Sequence, residues 1–538
     1  MKNSPGARRS RDLKKRHTPA NERVANRRSF SHLFWTGLGI GLLCVFSLQA
    51  LLAVGRLSAT SDEPIHLVAG YSYWQTRDFR INPEHPPLAK LIAALPLLII
   101  NPTLDTSSEY WKTASQSKLG FNFLYSNNAD RLLFWGRLPM IALAALGGLI
   151  TFLWARDLFG AVAGAFAAAI YSFCPNLLAH GMLITTDVPV GTFTILTLYL
   201  FWRQGDRPTW RNSLTTGLSL GAAMASKYSG ALLPILVTGL VCIRGFRQTN
   251  RKEAYSAEIR GLIVMAAASL LIIELAYLFT ASPLLYFDNS AAVNRNHNPS
   301  YQSYLLGELK PGGWWYYLLV AFAFKATLPV LILLLLASVH SISSLRTYRW
   351  NDTILLSAII FYVVAYSAEA DNLGVRYLLP VFPLIYVWVS RIVPGYWNHS
   401  LGRVVLITLC GWQMWAAVSS FPNYIPYFNE LAGGPTRGPE LLDDSNVDWG
   451  QGLKQAAAYV KERKIKDVVL SPFSEFDNPD YYGLTVPVIP PGSLVSTKPM
   501  PGTYIISAHN IAWMKTVDPA WRGYQPVDRI GGMWVYRF

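Results

Sequence analysis

Eleven apolar stretches divide this chain, near residues 33–54, 134–154, 161–181, 183–202, 213–226, 229–243, 261–281, 314–340, 353–368, 377–391 and 403–420. Each is long enough, or nearly so, to cross roughly 30 Å of hydrocarbon. Inside a bilayer every backbone N–H and C=O must be satisfied within the segment or by its neighbours, which leaves helices as the expected solution. The fold class expected is therefore an all-α polytopic membrane bundle of about eleven spans. The fifth and sixth stretches are short enough to form one broken helix pair. A composition of 51% hydrophobic and 15% charged residues over 538 positions is too apolar for one soluble protein of this size.

Basic residues set the expected orientation. Residues 1–28 carry ten Lys and Arg against Asp12 and Glu22, which predicts a cytoplasmic N-terminus. Alternation then places Arg203/Arg207/Arg211, Arg244/Arg247/Arg251/Lys252 and Arg346/Arg349 inside as well. The net charge of +15 reads as an orientation and lipid-headgroup signal. A nucleic-acid partner is not expected, because the basic tail leads directly into a span. The expected organisation is a disordered cytoplasmic tail over 1–32, a membrane domain over 33–420 with a first outer loop at 55–133, and a small extracytoplasmic α/β domain over 421–538. In that last part residues 452–463 read as a helix, and Val468–Leu470, Tyr504–Ile506 and Trp534–Tyr536 read as strands. The run at 33–54 does not read as a cleavable signal. Cys44, Cys174, Cys242 and Cys410 all fall in apolar segments with no disulfide or metal spacing. The cytoplasmic membrane of a bacterial cell is the expected location.

Polar chemistry concentrates just beyond the first span. Asp62 and Glu63 are followed by Glu84-His85-Pro86-Pro87-Leu88-Ala89-Lys90. Residues 62–76 have helical spacing with Pro64 in the first turn, and residues 87–100 read as a second, interfacial helix. A carboxylate at such a boundary can take the proton of an acceptor hydroxyl, and nearby cations can stabilise a phosphate leaving group. Asp62 and Glu63 with Lys90, Lys227 and Arg376 supply both. The competing reading of the two acids is plain helix capping, which accounts for one of them more readily than for the whole cluster.

Several other features carry two readings. The spacing of Glu63, His66, Glu84 and His85 would suit a divalent metal, against a hydrogen-bonded interfacial histidine as the favoured alternative. Lys325, within a span, would either reach a headgroup or meet a donor phosphate. Trp314–Tyr317 read as an interfacial aromatic belt, and Asp444/Asn446/Asp448/Gln451 as a helix cap with Trp449 beneath rather than a calcium loop. There is no phosphate-binding glycine loop and no internal repeat of the kind secondary transporters show.

The series Asp62-Glu63-Pro64-Ile65-His66, Tyr71, Arg77, Phe79 and His85-Pro86-Pro87-Leu88-Ala89-Lys90 resembles the first-loop pattern of protein O-mannosyltransferases, with Ala89 where those enzymes have glycine. Thr186-Asp187-Val188-Pro189 resembles their second carboxylate site and that of bacterial aminoarabinose transferases. Ser226-Lys227-Tyr228 and Gly374-Val375-Arg376-Tyr377-Leu378-Leu379-Pro380 resemble further outward turns of related bacterial proteins. The resemblance implies a GT-C fold that uses a polyprenyl-phosphate-linked sugar as donor and a protein, glycan or lipid hydroxyl as acceptor. It implies Asp62 and Glu63 as catalytic carboxylates, with His85, Lys90, Asp187, Lys227, Arg376 and Tyr377 around the donor phosphate and sugar. Residues 421–538 depart from the eukaryotic mannosyltransferases.

Overall fold

The computed structural model describes residues 19–205, 208–248, 251–280, 283–296, 298, 300–343, 350–369, 371–491, 493 and 499–538. The basic tail up to residue 18 lies outside the described residues, and the first helix runs Pro19–Val54. Among the described residues six helices are long and apolar enough to cross a membrane: His32–Val54, Ala129–Phe159, Tyr228–Phe246, Tyr255–Ala276, Trp350–Ala368 and Ser400–Ser420. Two pairs, Ala161–Ser172 with Pro175–Gly181 and Tyr317–Lys325 with Leu328–Ile342, bend by 65° and 112° and raise the number to eight if each is one span. The other three expected segments form helices of 17, 17 and 9 residues, Asp187–Arg203, Trp210–Ser226 and Val381–Val389. At about 1.5 Å per residue the first two reach about 26 Å and the third about 14 Å, against roughly 30 Å of hydrocarbon. The sixth segment is long enough to cross alone, and the break before it falls at Lys227.

The bends free backbone carbonyls, and buried amides take them up. Gln413 donates Nε2 to the carbonyls of Ile170 and Phe173 at 3.1 Å each. Asn176 Nδ2 reaches the Lys325 carbonyl at 2.6 Å, and Asn429 Nδ2 reaches those of Ala323 and Ala326 at 2.6 and 2.7 Å. Broken helices at membrane depth require such partners. Elsewhere small residues let helices meet closely. A Cβ on Gly217 would stand 2.6 Å from the Met265 carbonyl, and one on Gly221 would stand 2.7 Å from that of Ser269.

Between the first two long helices the chain builds a compact loop region. The helix Glu63–Thr76 carries Pro64 in its first turn as expected. The expected helix over 87–100 divides into Leu88–Ala94 and Leu97–Ile100. Pro96 lies at the division, where a proline has no N–H to continue the ladder. Glu109–Lys112 and Gln116–Ser126 complete the region.

Strands β1 (Gln302–Leu305) and β2 (Glu308–Pro311) form an antiparallel hairpin. The second sheet contains β3 (Val468–Ser471), β4 (Thr503–Ser507), β5 (Asp528–Ile530) and β6 (Met533–Arg537) in the order β3-β4-β6-β5. Its β3–β4 pair is parallel and the other pairs are antiparallel. The three strands expected from sequence are β3, β4 and β6; β5 and the hairpin lack a long apolar run and escape that reading. Alternation along the strands gives each face its own core. Ile505 and Val535 pack with Leu453 and Ala456 of the helix Leu453–Arg463, whereas Tyr504, Ile506, Trp534 and Tyr536 join the core that runs through Trp449 into the bundle.

Candidate active site

Glu63 lies in the first turn of its helix and is fully buried. Its two oxygens accept from Arg137 Nε and Nη2 at 2.8 and 2.6 Å, from the Thr60 amide at 2.8 Å and from the Ile184 amide at 3.0 Å. Arg137 spends its remaining donors on the carbonyls of Val54, Leu57 and Ser58. Burial pushes the Glu63 carboxyl up, but the Arg137 charge and the surrounding hydrogen bonds outweigh it and hold the group below its ordinary value. Glu63 has no face open to a substrate. The expectation of a second catalytic carboxylate beside Asp62 meets a sealed ion pair that ties the loop to the helix Ala129–Phe159.

Lys90 is also enclosed. Its Nζ donates to the Tyr73 hydroxyl at 2.9 Å, to Asn82 O and Oδ1 at 2.7 and 3.2 Å, and to the His85 carbonyl at 2.8 Å. Asn82 adopts a left-handed φ of 53°, and the chain turns its carbonyls inward there. An ammonium answers them, so Lys90 does not face a donor phosphate as expected. Burial moves it well below the usual lysine range. The loop it secures carries His85, whose ring meets His66 edge-on at 5.3 Å. His66 Nδ1 shares a hydrogen bond with the Ile184 carbonyl at 2.8 Å. Burial and the neighbouring cations, Lys227 and Arg376 among them, drive His85 well below its ordinary value, so it stands as a neutral imidazole. Glu84 turns away to the amides of Gln116 and Asn82. Among the described residues no group of three or more His, Cys, Asp or Glu is placed to hold a metal ion. Glu63, His66, Glu84 and His85, the less favoured metal reading, are instead divided among the Arg137 pair, the Ile184 carbonyl and the amides of Gln116 and Asn82.

The remaining expected residues do converge. Asp62, at the N-cap of the helix Glu63–Thr76, accepts from Arg376 Nη1 at 3.2 Å. The Arg376 guanidinium lies over the Trp449 ring at 4.3 Å and beside Tyr377 at 5.7 Å. Lys227 Nζ lies 4.7 Å from the centre of the Tyr377 ring and 2.5 Å from Asp187 Oδ1. A row results, Asp62–Arg376–Tyr377–Lys227–Asp187, from four distant segments. Both carboxylates sit at helix N-termini, where the dipole favours negative charge. Their exposure differs: the Asp62 side chain is 33% exposed and that of Asp187 only 4%. Arg376 Nε is buried without a hydrogen-bond partner among the described residues. Two cations flanking one aromatic ring, one with a donor to spare, can receive an anionic group, and an accessible carboxylate stands at its edge.

Sequence reasoning missed what holds Arg376. Gly374 has a φ of 145°, and a Cβ there would stand 2.5 Å from Ser445 Oγ. The Val375 amide donates to Asn446 Oδ1 at 3.0 Å, and Ser445 Oγ donates to the Leu373 carbonyl at 2.6 Å. Ser58 and Ser61 amides donate to the carbonyls of Gln451 and Trp449. The segment 443–451 is thus the floor of the row rather than a local helix cap, although the reading of Trp449 as a packed ring holds. Lys325 is buried and gives its Nζ to the carbonyls of Ile425 and Asn446 at 2.7 Å each. It therefore meets neither a headgroup nor a phosphate. Trp315 and Tyr316 point outward, while Tyr317 is buried and accepts from Asn446 Nδ2 at 3.0 Å. Arg137 was legible in principle, as an arginine inside an apolar stretch.

Residues 130–273 match the family model described as dolichyl-phosphate-mannose-protein mannosyltransferase. The crystal structure of ArnT from Cupriavidus metallidurans in the apo state aligns over 93% of this chain and 98% of its own, at 14% identity and a TM-score of 0.50. The same protein bound to undecaprenyl phosphate aligns over 93% and 98%, at 13% identity and a TM-score of 0.47. The apo oligosaccharyltransferase of Archaeoglobus fulgidus aligns over 89% of this chain and 72% of its own, at 12% identity and a TM-score of 0.46. No curated protein sequence matches the chain. The chain shares the multi-helix fold of the apo ArnT structure. The family match is confined to residues 130–273, about a quarter of the chain, which resemble the mannosyltransferase family over that stretch.

Proposed function

We propose that the protein moves a sugar, mannose-like by the family default, from a polyprenyl-phosphate donor to an acceptor hydroxyl at the outer face of the membrane, with inversion. The observation that carries this reading is the row of Asp62, Arg376, Tyr377, Lys227 and Asp187. In it, Asp62 takes the proton of the acceptor hydroxyl as the oxygen attacks the anomeric carbon. The bond from that carbon to the phosphate oxygen breaks, and the lipid phosphate leaves with the electron pair and one more negative charge. Arg376 and Lys227 receive that charge, the kind of preorganised stabilisation that lowers such barriers most. In the resting state Arg376 is paired with Asp62. An arriving phosphate competes for the guanidinium and frees the carboxylate to act as a base. Asp187 holds Lys227 and, with the neutral His85, shapes the sugar pocket. Glu63 and Lys90 act as positioning residues beneath these groups.

In this reading residues 33–420 form the catalytic membrane domain, and residues 421–538 lie on the extracytoplasmic side with the loop 55–133. The N-terminus is cytoplasmic, and the membrane is the inner one. The test is purified protein given a radiolabelled polyprenyl-phosphate sugar and cell-envelope acceptors. Label should leave the lipid, and Asp62→Asn should slow that transfer by about a hundredfold or more. Near-normal transfer by the variant would overturn the assignment of Asp62.

A further inference from the structure

Beside the row lies a cavity of about 460 Å³ lined by Glu84, Asn289, Asn298, Tyr301, Asp371 and Leu373, among others. It adjoins the row at three points. Glu84 precedes His85, whose ring meets His66 one turn after Asp62. Leu373 belongs to the turn that Ser445 fastens beneath Arg376. Tyr228, next to Lys227, donates its hydroxyl to the Pro83 carbonyl at 3.1 Å. Tyr301 also feels the row: burial and the carboxylates of Asp444, Asp443 and Asp371 push it up to about 12, while Arg376 pulls it down.

The chemistry of the lining is distinctive. The lining holds two carboxylates and two side-chain amides; Glu84 already accepts from Gln116 and Asn82, and the lone pairs and N–H groups left over on such side chains are the kind that bond sugar hydroxyls. Tyr301 is 45% exposed and offers a ring face on which the apolar face of a pyranose can rest. Among the described residues, none of those lining the cavity is Lys or Arg. A phosphate or carboxylate group on an entering molecule would meet the like charges of Glu84 and Asp371 in that lining.

We infer that this cavity is the acceptor subsite and that it takes the hydroxyls of an uncharged or amine-bearing glycan. The inference rests on the transferase reading above and names the class of its second substrate. It divides the labour of the site: cations on one side hold the lipid phosphate, and acids, amides and an aromatic ring on the other hold a sugar acceptor.

Full-length protein in lipid nanodiscs, passed over immobilised neutral, amine-bearing and phosphorylated oligosaccharides and serine/threonine peptides, tests this. Retention is expected on the neutral or amine-bearing glycans. Tyr301→Ala should weaken it about tenfold, the scale of one aromatic contact, and Tyr301→Phe should restore it. Retention of undecaprenyl phosphate serves as the control for folding. Retention only on phosphorylated glycans or peptides, none on any surface, or retention indifferent to Tyr301→Ala would overturn the inference. Asp62→Asn should keep glycan retention while losing sugar transfer, so a failed subsite and a failed chemistry give different results.

Discussion

Asp62 and Glu63 are neighbours in sequence and opposites in surroundings. Glu63 is enclosed, and Arg137 with two backbone amides occupies its oxygens. Asp62 is a third exposed and has one charged partner at 3.2 Å. One residue of difference along a helix start moves a carboxylate from a closed structural joint to an open chemical edge. Burial cost explains the contrast. A charge taken out of water needs full compensation, whereas a half-solvated one can be loosely held and later released.

Replacing each acid in turn sharpens this contrast. Glu63→Gln strands the Arg137 charge inside the protein and should cost about 3–5 kcal/mol, seen as a lowered melting temperature in detergent. Transfer by whatever remains folded would be a secondary effect. An unchanged melt would break the distinction drawn here.

Asp448 offers a third case: a buried carboxylate with no Lys or Arg paired to it among the described residues. It accepts from Ser507 Oγ at 2.6 Å and from the Gly450 amide at 3.2 Å. Burial nevertheless outweighs those bonds and raises it from 3.8 to about 6. A raised acid favours the folded state while protonated, so this contribution is present below about pH 4 and is lost as pH rises through 6. Asp448→Asn should therefore raise stability above pH 6 by up to ~3 kcal/mol and change little below pH 4. Melting curves across that range will show the crossover or its absence.

Asp62→Asn should leave the melt in place while transfer falls about a hundredfold, equivalent to ~2.7 kcal/mol. If the two acids instead produced the same loss of stability, the division between joint and edge would fail. The smallest effect expected is at Trp449, on whose face Arg376 rests at 4.3 Å. Trp449→Leu should weaken donor binding by about 0.5–2 kcal/mol, read as a severalfold rise in the donor KM.

Much of the site is legible in the amino-acid sequence alone. Asp62, Asp187, Lys227, Arg376 and Tyr377 announce themselves as polar groups at the ends of apolar stretches, where they are costly unless used. What separates Asp62 from Glu63 is Arg137, 74 positions away, and nothing local encodes that choice. Lys90 belongs to a legible motif, but its direction follows from the inward carbonyls of Asn82 and His85, which only the folded loop displays. The apolar bundle is legible because hydrophobic length survives translation into helices. Its bends are not, since they depend on Gln413, Asn176 and Asn429 reaching across to distant carbonyls. Pro96, by contrast, is visible in the sequence as a breaker within the stretch read as one helix.

The clasp at Gly374 bears on the order in which the molecule is completed. Asn446 and Ser445, which secure the Arg376 turn, follow the last long apolar helix in the chain. A ribosome therefore completes the whole helical bundle before it has made the residues that fasten this guanidinium. The turn that carries Arg376 is fastened only when the final fifth of the molecule has been made and meets it.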